Sequence, residues 1–205
     1  MQNIRADAYI EPFPHIIFHN FYTDEELKLI WEELDFLTKP DKLFNVKEYK
    51  GVEGYTEAKA IQLDTVYKGK NRKLSNILNV TRKVFEKDVL EAFSSISDCC
   101  SLAKNCNYDV TKVRYYHNND QYKPHIDMLW NFLAFSYFYR EPKKFSGGNL
   151  LFPKYDYEYP CDNNSLIILP SYVEHGVQKV KIDNSDYFDG MGRYAITHFG
   201  DIREL

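Results

Sequence analysis

The sequence predicts a mixed α and β fold, mainly β, with N-terminal helices packed on one side of a β core. Apolar residues recur at helical spacing in two blocks up to about residue 102, whereas short alternating runs separated by Gly and Pro turns follow from about residue 108. Several short strands joined by such turns are typical of a sandwich or barrel. A chain of 205 residues fits one domain of ordinary size with a substantial core.

The N-terminal half begins with a predicted strand and helix. Residues 13–22 read as the strand. Thr23 and Glu26 then form a capping box, in which the two side chains satisfy free N–H groups at the start of a helix. The apolar stripe of this helix extends to Leu37 and is expected to face the core.

The rest of that half alternates between polar and apolar segments. Residues 39–60 are polar and contain two glycines, which predicts a loop. Ala60–Tyr67 alternates like a strand, and a second helical block with a core-facing stripe covers about residues 74–102. His15 and His19 are interpreted as structural residues.

The C-terminal half contains six short runs that predict strands. They are Val110–His117, Asn131–Arg140, Asn149–Phe152, Ser165–Leu169, His175–Val180 and Arg193–Phe199. Residues 183–192, between the last two runs, form a polar loop with two glycines.

Composition limits the possible function classes. A net charge of −4 provides no general basic surface, which argues against a nucleic-acid partner. No N-terminal apolar run resembles a signal peptide, and no stretch approaches the roughly 20 apolar residues of a membrane span. Four cysteines without Cys-x-x-Cys or zinc spacing predict free thiols in a reducing compartment, so the expected location is the cytoplasm. The aromatic content of 16% suits half-buried strands.

Three residues form a candidate metal site. His125 and Asp127 lie two apart, and residues i and i+2 of an extended strand project to the same face. His175 is distant in sequence and must therefore come from another strand or its edge. Two histidines and one carboxylate are the set that binds non-haem Fe(II) and leaves other coordination positions open. A His-x-Asp pair also arises by chance, so the surrounding motifs decide its meaning.

Four motifs occur in order around this triplet. They are Tyr116–Asp127 with two of the candidate ligands, the Gly-Gly turn and apolar strand of Ser146–Pro153, His175–Val180 with the distal histidine, and Gly192–Thr197 with Arg193 at the head of the last strand. This ordered set resembles the prolyl 4-hydroxylase-like branch of the Fe(II)/2-oxoglutarate dioxygenases over residues 108–201. Arg193–Thr197 looks especially like the oxygen-sensing prolyl hydroxylases, and residues 12–37 look like the family's first strand and helix.

The resemblance implies a fold and a domain organisation. The family fold is a double-stranded β-helix, a jelly roll of eight strands with the metal inside. Residues 1–205 would form a single dioxygenase domain, in which a strand and helices over about residues 12–105 pack on one sheet of a catalytic jelly roll over about residues 108–201.

The resemblance also implies catalytic residues and cofactors. His125, Asp127 and His175 match the iron ligands, and Arg193 matches the residue that pairs with the distal carboxylate of 2-oxoglutarate. A guanidinium suits that role because it makes two-pronged, charge-assisted contacts with a carboxylate. Fe(II), the cosubstrates 2-oxoglutarate and O2, and ascorbate as reductant are implied. Asp127 favours hydroxylation, since halogenating relatives lack this carboxylate.

Relatives add a tyrosine or threonine to the cosubstrate pocket. Tyr116 matches the collagen-type spacing, and Tyr115 would match the oxygen-sensor spacing. Tyr137 matches the tyrosine of the next strand, with Tyr139 as the alternative register, and strand alternation puts both on one face. Thr197 shares a face with Arg193 and is a further candidate.

Three features next to these candidates qualify the match. His198 faces away from Arg193 by strand alternation and is not expected to be a ligand. The gap of 18 residues from His175 to Arg193 is longer than usual for this branch, and the polar loop can absorb it. Ala195 stands where many relatives in other branches have Ser, which puts one hydrogen bond to the cosubstrate in doubt.

The substrate is open to several interpretations. Family likeness favours a prolyl residue of a peptide or protein, with loops 39–60 and 154–163 setting specificity. A free amino acid or other small molecule is the alternative substrate. Rival classes are a non-catalytic β-sandwich binding protein and a cupin-type isomerase, although cupins usually supply a His-x-His pattern that this chain lacks.

Overall fold

The computed structural model describes residues 4–45, 57–183 and 186–203. Its helices are α1 (Asp24–Leu37), α2 (Leu63–Val66), α3 (Asn76–Val80) and α4 (Lys87–Ser94), with 3-10 turns at Gly69–Leu74, Thr81–Phe85, Asp98–Asn105 and Pro153–Tyr155. Its first seven strands are β1 (Arg5–Tyr9), β2 (His15–His19), β3 (Phe44–Asn45), β4 (Lys59–Gln62), β5 (Tyr108–Tyr116), β6 (Tyr122–His125) and β7 (Phe132–Phe138). The others are β8 (Phe145–Ser146), β9 (Leu150–Phe152), β10 (Tyr157–Tyr159), β11 (Ser165–Pro170), β12 (His175–Val177), β13 (Lys181–Ile182) and β14 (Arg193–Asp201).

A large antiparallel sheet separates two buried cores. Within the described residues it has eight strands in the order β1-β2-β11-β7-β14-β5-β4-β3, and a four-stranded sheet has the order β10-β9-β12-β6. On one face of the large sheet, residues such as Phe132 and Ile196 pack against Leu34 of α1 and Phe93 of α4. We call this the helix face. The predicted mixed fold, with helices on one side of a β core, is confirmed, and the core is mainly antiparallel.

The opposite face of the large sheet, which we call the pocket face, packs on the four-stranded sheet. Phe135 and Phe199 of the large sheet share one core with Leu150 and Val177 of the smaller sheet. Because successive residues of a strand point to opposite faces, β14 contributes Arg193, Ala195, Thr197 and Phe199 to the pocket face and the residues between them to the helix face.

The capping box at the start of α1 is confirmed. Thr23 Oγ1 accepts a hydrogen bond from the backbone N–H of Glu26 at 3.2 Å, and the Glu26 carboxylate accepts one from the N–H of Thr23 at 2.8 Å. The helix buries Ile30, Leu34 and Leu37 against the large sheet. The sequence signal and the packing therefore agree along this element.

The predicted strand over Ala60–Tyr67 is wrong in its second part. β4 ends at Gln62 and α2 begins at the next residue. The turn is fixed by Asp64, whose carboxylate accepts a hydrogen bond from the backbone N–H of Thr111 at 2.6 Å and pairs with Arg72. Because these partners are distant in sequence, local alternation could not reveal the change from strand to helix.

The predicted loop over 39–60 is also corrected. β3 and the start of β4 lie inside this range and pair with each other, so that Phe44 opposes Ala60. They extend the large sheet by two strands. Residues 46–56 lie outside the described residues, so the central part of this prediction is not addressed.

The predicted second helical block is broken into short pieces. Ser75 begins α3 by accepting a hydrogen bond from the N–H of Leu78 at 3.0 Å, and it donates its own hydroxyl hydrogen to the buried Glu33 carboxylate of α1. The 3-10 turn Thr81–Phe85 follows α3, and the extended residue Glu86 separates that turn from α4. The apolar spacing survives these breaks because each piece packs on the same core.

All six strands predicted after residue 108 occur, with shifted ends, and β12 stops at Val177 rather than Val180. Six strands of the described residues were not predicted, namely β1, β3, β6, β8, β10 and β13. β10 lies inside the predicted loop 154–163 and pairs with β9 as an edge strand. The four cysteines are free thiols, as predicted. None of the helices in the described ranges is long and apolar enough to cross a membrane.

Candidate metal centre

The three candidate ligands meet between the two sheets. His125 ends β6, and His175 of β12 lies directly opposite it in the antiparallel pair. Asp127 lies just beyond the end of β6 rather than within a strand, yet its Oδ2 is 3.7 Å from His125 Nε2 and 3.6 Å from His175 Nε2. Ile126 is 46% exposed and points away, as the spacing predicted.

Each histidine is oriented by a backbone carbonyl. His125 Nδ1–H donates to the carbonyl of Lys123 at 2.9 Å, and His175 Nδ1–H donates to that of Val173 at 3.0 Å. A hydrogen on Nδ1 leaves the lone pair of Nε2 free, and both Nε2 atoms face the Asp127 carboxylate. Burial lowers the pKa of His175 to about 4 and also lowers the pKa of His125, so both rings are neutral at pH 7.

This donor set fits a transition-metal ion. One ligand atom from each of His125, Asp127 and His175 lies within 4.8 Å of the others, close enough for a single ion to bind all three. Two imidazole nitrogens and one carboxylate oxygen are the combination found in non-haem Fe(II) sites. Three protein ligands leave coordination positions for small molecules.

Arg193 lies at the head of β14 in the same pocket. The residue is only 2% exposed. Its guanidinium carbon lies 4.8 Å from the ring centroid of Tyr116 and 4.7 Å from that of Tyr137. Nη2 donates to Cys161 Sγ at 3.5 Å, while Nε and Nη1 have no hydrogen-bond partner among the described residues.

Burying such a cation without an anion is expensive, because its lost hydration is not replaced. No described carboxylate lies within ion-pair distance of Arg193, whereas surface arginines such as Arg72 and Arg140 have acidic partners. An anion that enters the pocket would give Arg193 the partner that the described residues do not supply. A carboxylate matches the planar fork of a guanidinium.

Gly148 makes room for this arginine. Its φ of +74° lies in the left-handed region, and a Cβ at this position would lie 2.9 Å from Arg193 Cδ. The predicted Gly-Gly turn is thus present, with Gly147 also at positive φ. A side chain here would strain the backbone and displace the arginine.

The structure separates the candidate tyrosines. Tyr116 and Tyr137 line the pocket that contains the three metal-ligand candidates and Arg193. Tyr115 faces the helix side, where its hydroxyl donates to Asp189 at 3.2 Å. Tyr139 shares the strand face of Tyr137 but packs beside Phe145, outside the residues that line the pocket.

The hydroxyl of Tyr137 is buried, with no nitrogen or oxygen partner among the described residues. It interacts with the neighbouring Cys161 thiol and is one more polar group close to Arg193. Thr197 lines the pocket too, and its hydroxyl accepts a hydrogen bond from Arg114 Nη1 at 3.1 Å.

Other histidines are placed as predicted. His198 lies on the helix face, where its ring is hydrogen-bonded through Nδ1 to Thr111 Oγ1 at 3.0 Å. His15 Nδ1–H donates to the carbonyl of Phe13, and His19 lies 3.1 Å from the Asp7 carboxylate. None of these rings reaches the pocket.

Sequence reasoning missed Arg114, Lys112 and Tyr122. Arg114 and Tyr122 line the pocket, and Lys112 lies on the same strand face two residues before Arg114. Burial and then the neighbouring Arg114 lower the pKa of Lys112 to about 8. Counting back in steps of two from Tyr116 along the predicted strand would have found both cations.

Comparisons with known proteins identify relatives of the fold. No family model and no curated protein matches the chain. Among solved structures, a prolyl hydroxylase from Trichoplax adhaerens, in complex with a hypoxia inducible factor peptide fragment, is 14% identical with a TM-score of 0.63 and covers 91% of this chain and 83% of its own. A Pseudomonas putida prolyl-4-hydroxylase is 12% identical with a TM-score of 0.55, covering 99% of this chain and 94% of its own.

A 2OG-Fe(II) oxygenase family member from Burkholderia pseudomallei is also similar. It is 12% identical with a TM-score of 0.57, and the match covers 93% of this chain and 89% of that one. At these identities the likeness establishes a shared fold over nearly the whole chain and leaves the chemistry to be argued from the site.

Proposed function

We propose that this protein is an Fe(II)- and 2-oxoglutarate-dependent dioxygenase that hydroxylates a C–H bond and releases succinate and CO2. One observation carries the proposal: a cluster of two histidines and one aspartate shares a pocket with a buried arginine that has no acidic partner among the described residues. We infer that the two facing sheets form a double-stranded β-helix within one domain over residues 1–205. The fold relatives named above support both inferences.

The three ligand residues would hold the iron. His125 and His175 present neutral Nε2 atoms held in place by backbone carbonyls, and Asp127 supplies a carboxylate between them. When bound, the iron supplies activation of O2 for oxidation of the cosubstrate and the substrate. The contribution of the protein is to fix the ligand geometry and to keep the coordination positions between the sheets accessible.

Arg193 would bind the distal carboxylate of 2-oxoglutarate. The rings of Tyr116 and Tyr137 flank its guanidinium, so the side chain has one orientation before the cosubstrate arrives. Such preorganisation reduces the ordering cost of binding. The hydroxyls of Tyr137 and Thr197 are further hydrogen-bonding groups for the cosubstrate. Ascorbate would serve as the reductant that keeps the iron ferrous.

The favoured substrate is a prolyl residue of a peptide or protein in the cytoplasm. The Trichoplax adhaerens relative is a prolyl hydroxylase in complex with a peptide, which supports this class. Exposed Met128 and Leu129 directly follow the ligand Asp127 and offer apolar surface at the site. The segment 154–163 would contribute to specificity through Tyr155 and Tyr157, and a small-molecule substrate is the alternative.

The proposal is tested by mixing the protein with Fe(II) and 2-oxoglutarate without oxygen. We expect a weak visible charge-transfer band in the wild type and none in Asp127→Ala, because the aspartate is one of three metal ligands. The exposed Asp162→Ala is the matched control and should keep the band. Absence of the band in the folded wild-type protein would refute the dioxygenase assignment.

The substrate class is tested separately. Peptides and cell lysates are incubated with the loaded enzyme and screened by mass spectrometry for products that gain one oxygen atom only when 2-oxoglutarate is present. Oxygen on proline is the expected outcome, and oxygen only on free amino acids or metabolites would favour the alternative.

A further inference from the structure

A second basic group lies in the pocket on the side of the metal ligands. Arg114 of β5 is 7% exposed and lines the pocket together with His125, Asp127 and His175. It lies two residues before Tyr116, on the same strand face. Neither the dioxygenase proposal nor the family resemblance gives this arginine a role.

Arg114 is held rigidly and still lacks an anion. Its guanidinium carbon lies 5.3 Å from the ring centroid of Tyr122, which in turn stacks on the His125 ring at 4.1 Å between centroids. Nη1 donates to Thr197 at 3.1 Å, while Nε has no hydrogen-bond partner and no acidic group pairs with Arg114 among the described residues.

Lys112 adds a second positive charge on the same face of β5. Its Nζ lies 4.8 Å from the ring centroid of Phe199, which lines the pocket. It likewise forms no ion pair with the acidic side chains of the described residues. Two neighbouring cations that share a half-buried strand face repel each other, so the arrangement is explained by an anion that binds between them.

The strand register separates these cations from the cosubstrate site. Arg193 pairs with Tyr116 across β14 and β5, whereas Arg114 pairs with Ala195 and Lys112 with Thr197. At about 3.4 Å per residue, Arg114 lies roughly 7 Å and Lys112 roughly 14 Å along β5 from Tyr116, the residue opposite Arg193. A short cosubstrate held by Arg193 therefore does not reach Lys112, the more distant of the two cations.

A count of the charges in the loaded site also leaves Arg114 and Lys112 without an anion. The two positive charges of Fe(II) and the one of Arg193 are offset by Asp127 and by the two carboxylates of 2-oxoglutarate. Arg114 and Lys112 then remain as uncompensated positive charges beside the loaded metal centre. A second substrate that carries an anion would compensate them.

We propose that the substrate presents a carboxylate to Arg114 and Lys112, and that this contact places the reacting C–H bond next to the metal. The inference rests on the proposed dioxygenase function and narrows its substrate class to acidic molecules. The carboxylate comes either from an Asp or Glu close to the hydroxylated residue of a peptide or from the α-carboxylate of a free amino acid.

The experiment uses three probe mixtures with the Fe(II)-loaded protein and 2-oxoglutarate. One is a pool of acetylated, amidated proline-centred pentapeptides that each contain Asp or Glu. The second pool is identical except that Asn or Gln replaces each acid, and the third is a mixture of free amino acids. Mass spectrometry measures oxygen insertion, and succinate release measures consumption of 2-oxoglutarate.

We expect oxygen insertion into the acidic pool or the free amino acids at least ten times faster than into the neutral pool, and the more active of the two identifies the source of the carboxylate. Arg114→Gln should raise the KM for that probe at least tenfold while the KM for 2-oxoglutarate changes less than twofold. The exposed Arg5→Gln is the matched control and should change neither.

Equal modification of the neutral and acidic pools would overturn the inference, as would succinate release with no product in any carboxylate-bearing probe. A rise in the KM for 2-oxoglutarate in Arg114→Gln would assign Arg114 to the cosubstrate instead. Absence of all succinate release would overturn the dioxygenase proposal itself. Arg114→Met adds a readout without turnover: its Tm should be unchanged or higher, and a fall of several degrees would give Arg114 a purely structural role.

Discussion

On the helix face of the large sheet, buried polar side chains find partners within the protein, and on the pocket face several do not. Tyr194 on the helix face shares a 2.6 Å hydrogen bond with Thr38, and Tyr22 shares one of 2.9 Å with Ser136. Arg193 directly precedes Tyr194 on β14 and points to the pocket face, where its Nε and Nη1 have no hydrogen-bond partner among the described residues.

The two faces differ in how their buried polar groups are paired. Polar groups that serve stability are satisfied inside the fold, because leaving them unpaired costs about 1–3 kcal/mol each. The helix face has mild exceptions in His198 Nε2, whose neutral ring lies edge-on to Phe85, and in His117 Nε2, which lies 3.5 Å from the Asp189 carboxylate. The pocket face instead leaves charged donors of Arg193 and Arg114 unpaired, which is explained when ligands complete them.

The largest expected effect is on the helix face. Phe132 is fully buried there between Phe85 and Phe93, with ring centroids 5.9 and 6.0 Å away. Phe132→Ala should lower the free energy of unfolding by about 3–5 kcal/mol through the cavity it leaves, without changing the 2-oxoglutarate affinity of the folded, metal-loaded protein. Urea unfolding and a binding titration check the two halves of this statement.

The exposed Leu29→Ala serves as the control and should change stability by less than about 0.5 kcal/mol. If Phe132→Ala reduced the free energy of 2-oxoglutarate binding as much as the free energy of unfolding, the two faces would not have separate roles.

A smaller effect concerns pH. Burial lowers the pKa of His198 to about 4, below its value of 6.5 in the unfolded chain. The unfolded state therefore takes up a proton first, and this contribution to stability is complete above pH 6.5 and lost as the pH falls towards 4. His198→Asn should reduce the loss of unfolding free energy between pH 7 and pH 5 by about 2 kcal/mol.

Unfolding curves of the metal-free protein at the two pH values measure this difference. Identical pH dependence in wild type and His198→Asn would show that the ring is not held neutral on the helix face. The other buried histidines titrate in both proteins, so their contributions cancel in the comparison.

The smallest expected effect concerns Tyr194, which points to the helix face, whereas its neighbour Arg193 points to the pocket face. Tyr194→Phe removes the hydroxyl that bonds to Thr38, and Thr38 keeps its own bond to the carbonyl of Leu34 at 2.7 Å. The expected cost is about 1 kcal/mol of unfolding free energy, with unchanged affinity for 2-oxoglutarate. A stability change near zero would indicate that the helix face does not depend on its internal polar pairs.

The sequence predicts those features whose causes are local or periodic. Thr23 and Glu26 mark the start of α1 correctly because a capping box needs only neighbouring residues. The strands after residue 108 were found as short apolar runs between Gly and Pro turns, and the central ones are buried on both faces. The triplet of His125, Asp127 and His175 was found by residue type and spacing together with the resemblance of the motifs around it.

The features that the sequence did not reveal depend on distant partners. β1 is polar and exposed, and it forms because its backbone pairs with the edge of β2. Alternation could not separate Tyr137 from Tyr139, since the extent of the pocket is set by how the smaller sheet covers β7. Arg114 and Lys112 looked like ordinary charged strand residues until the topology showed that both faces of β5 are covered.

Arg193→Met tests most directly whether an unpaired buried cation on the pocket face marks a ligand site. Two quantities are measured: the free energy of unfolding of the metal-free protein, and the affinity of the Mn(II)-loaded protein for 2-oxoglutarate. We expect unchanged or higher stability, because the substitution removes a buried charge without a partner, and a loss of affinity of about 100-fold or more. A loss of more than about 2 kcal/mol of stability with unchanged affinity would contradict the claim and make Arg193 a structural residue.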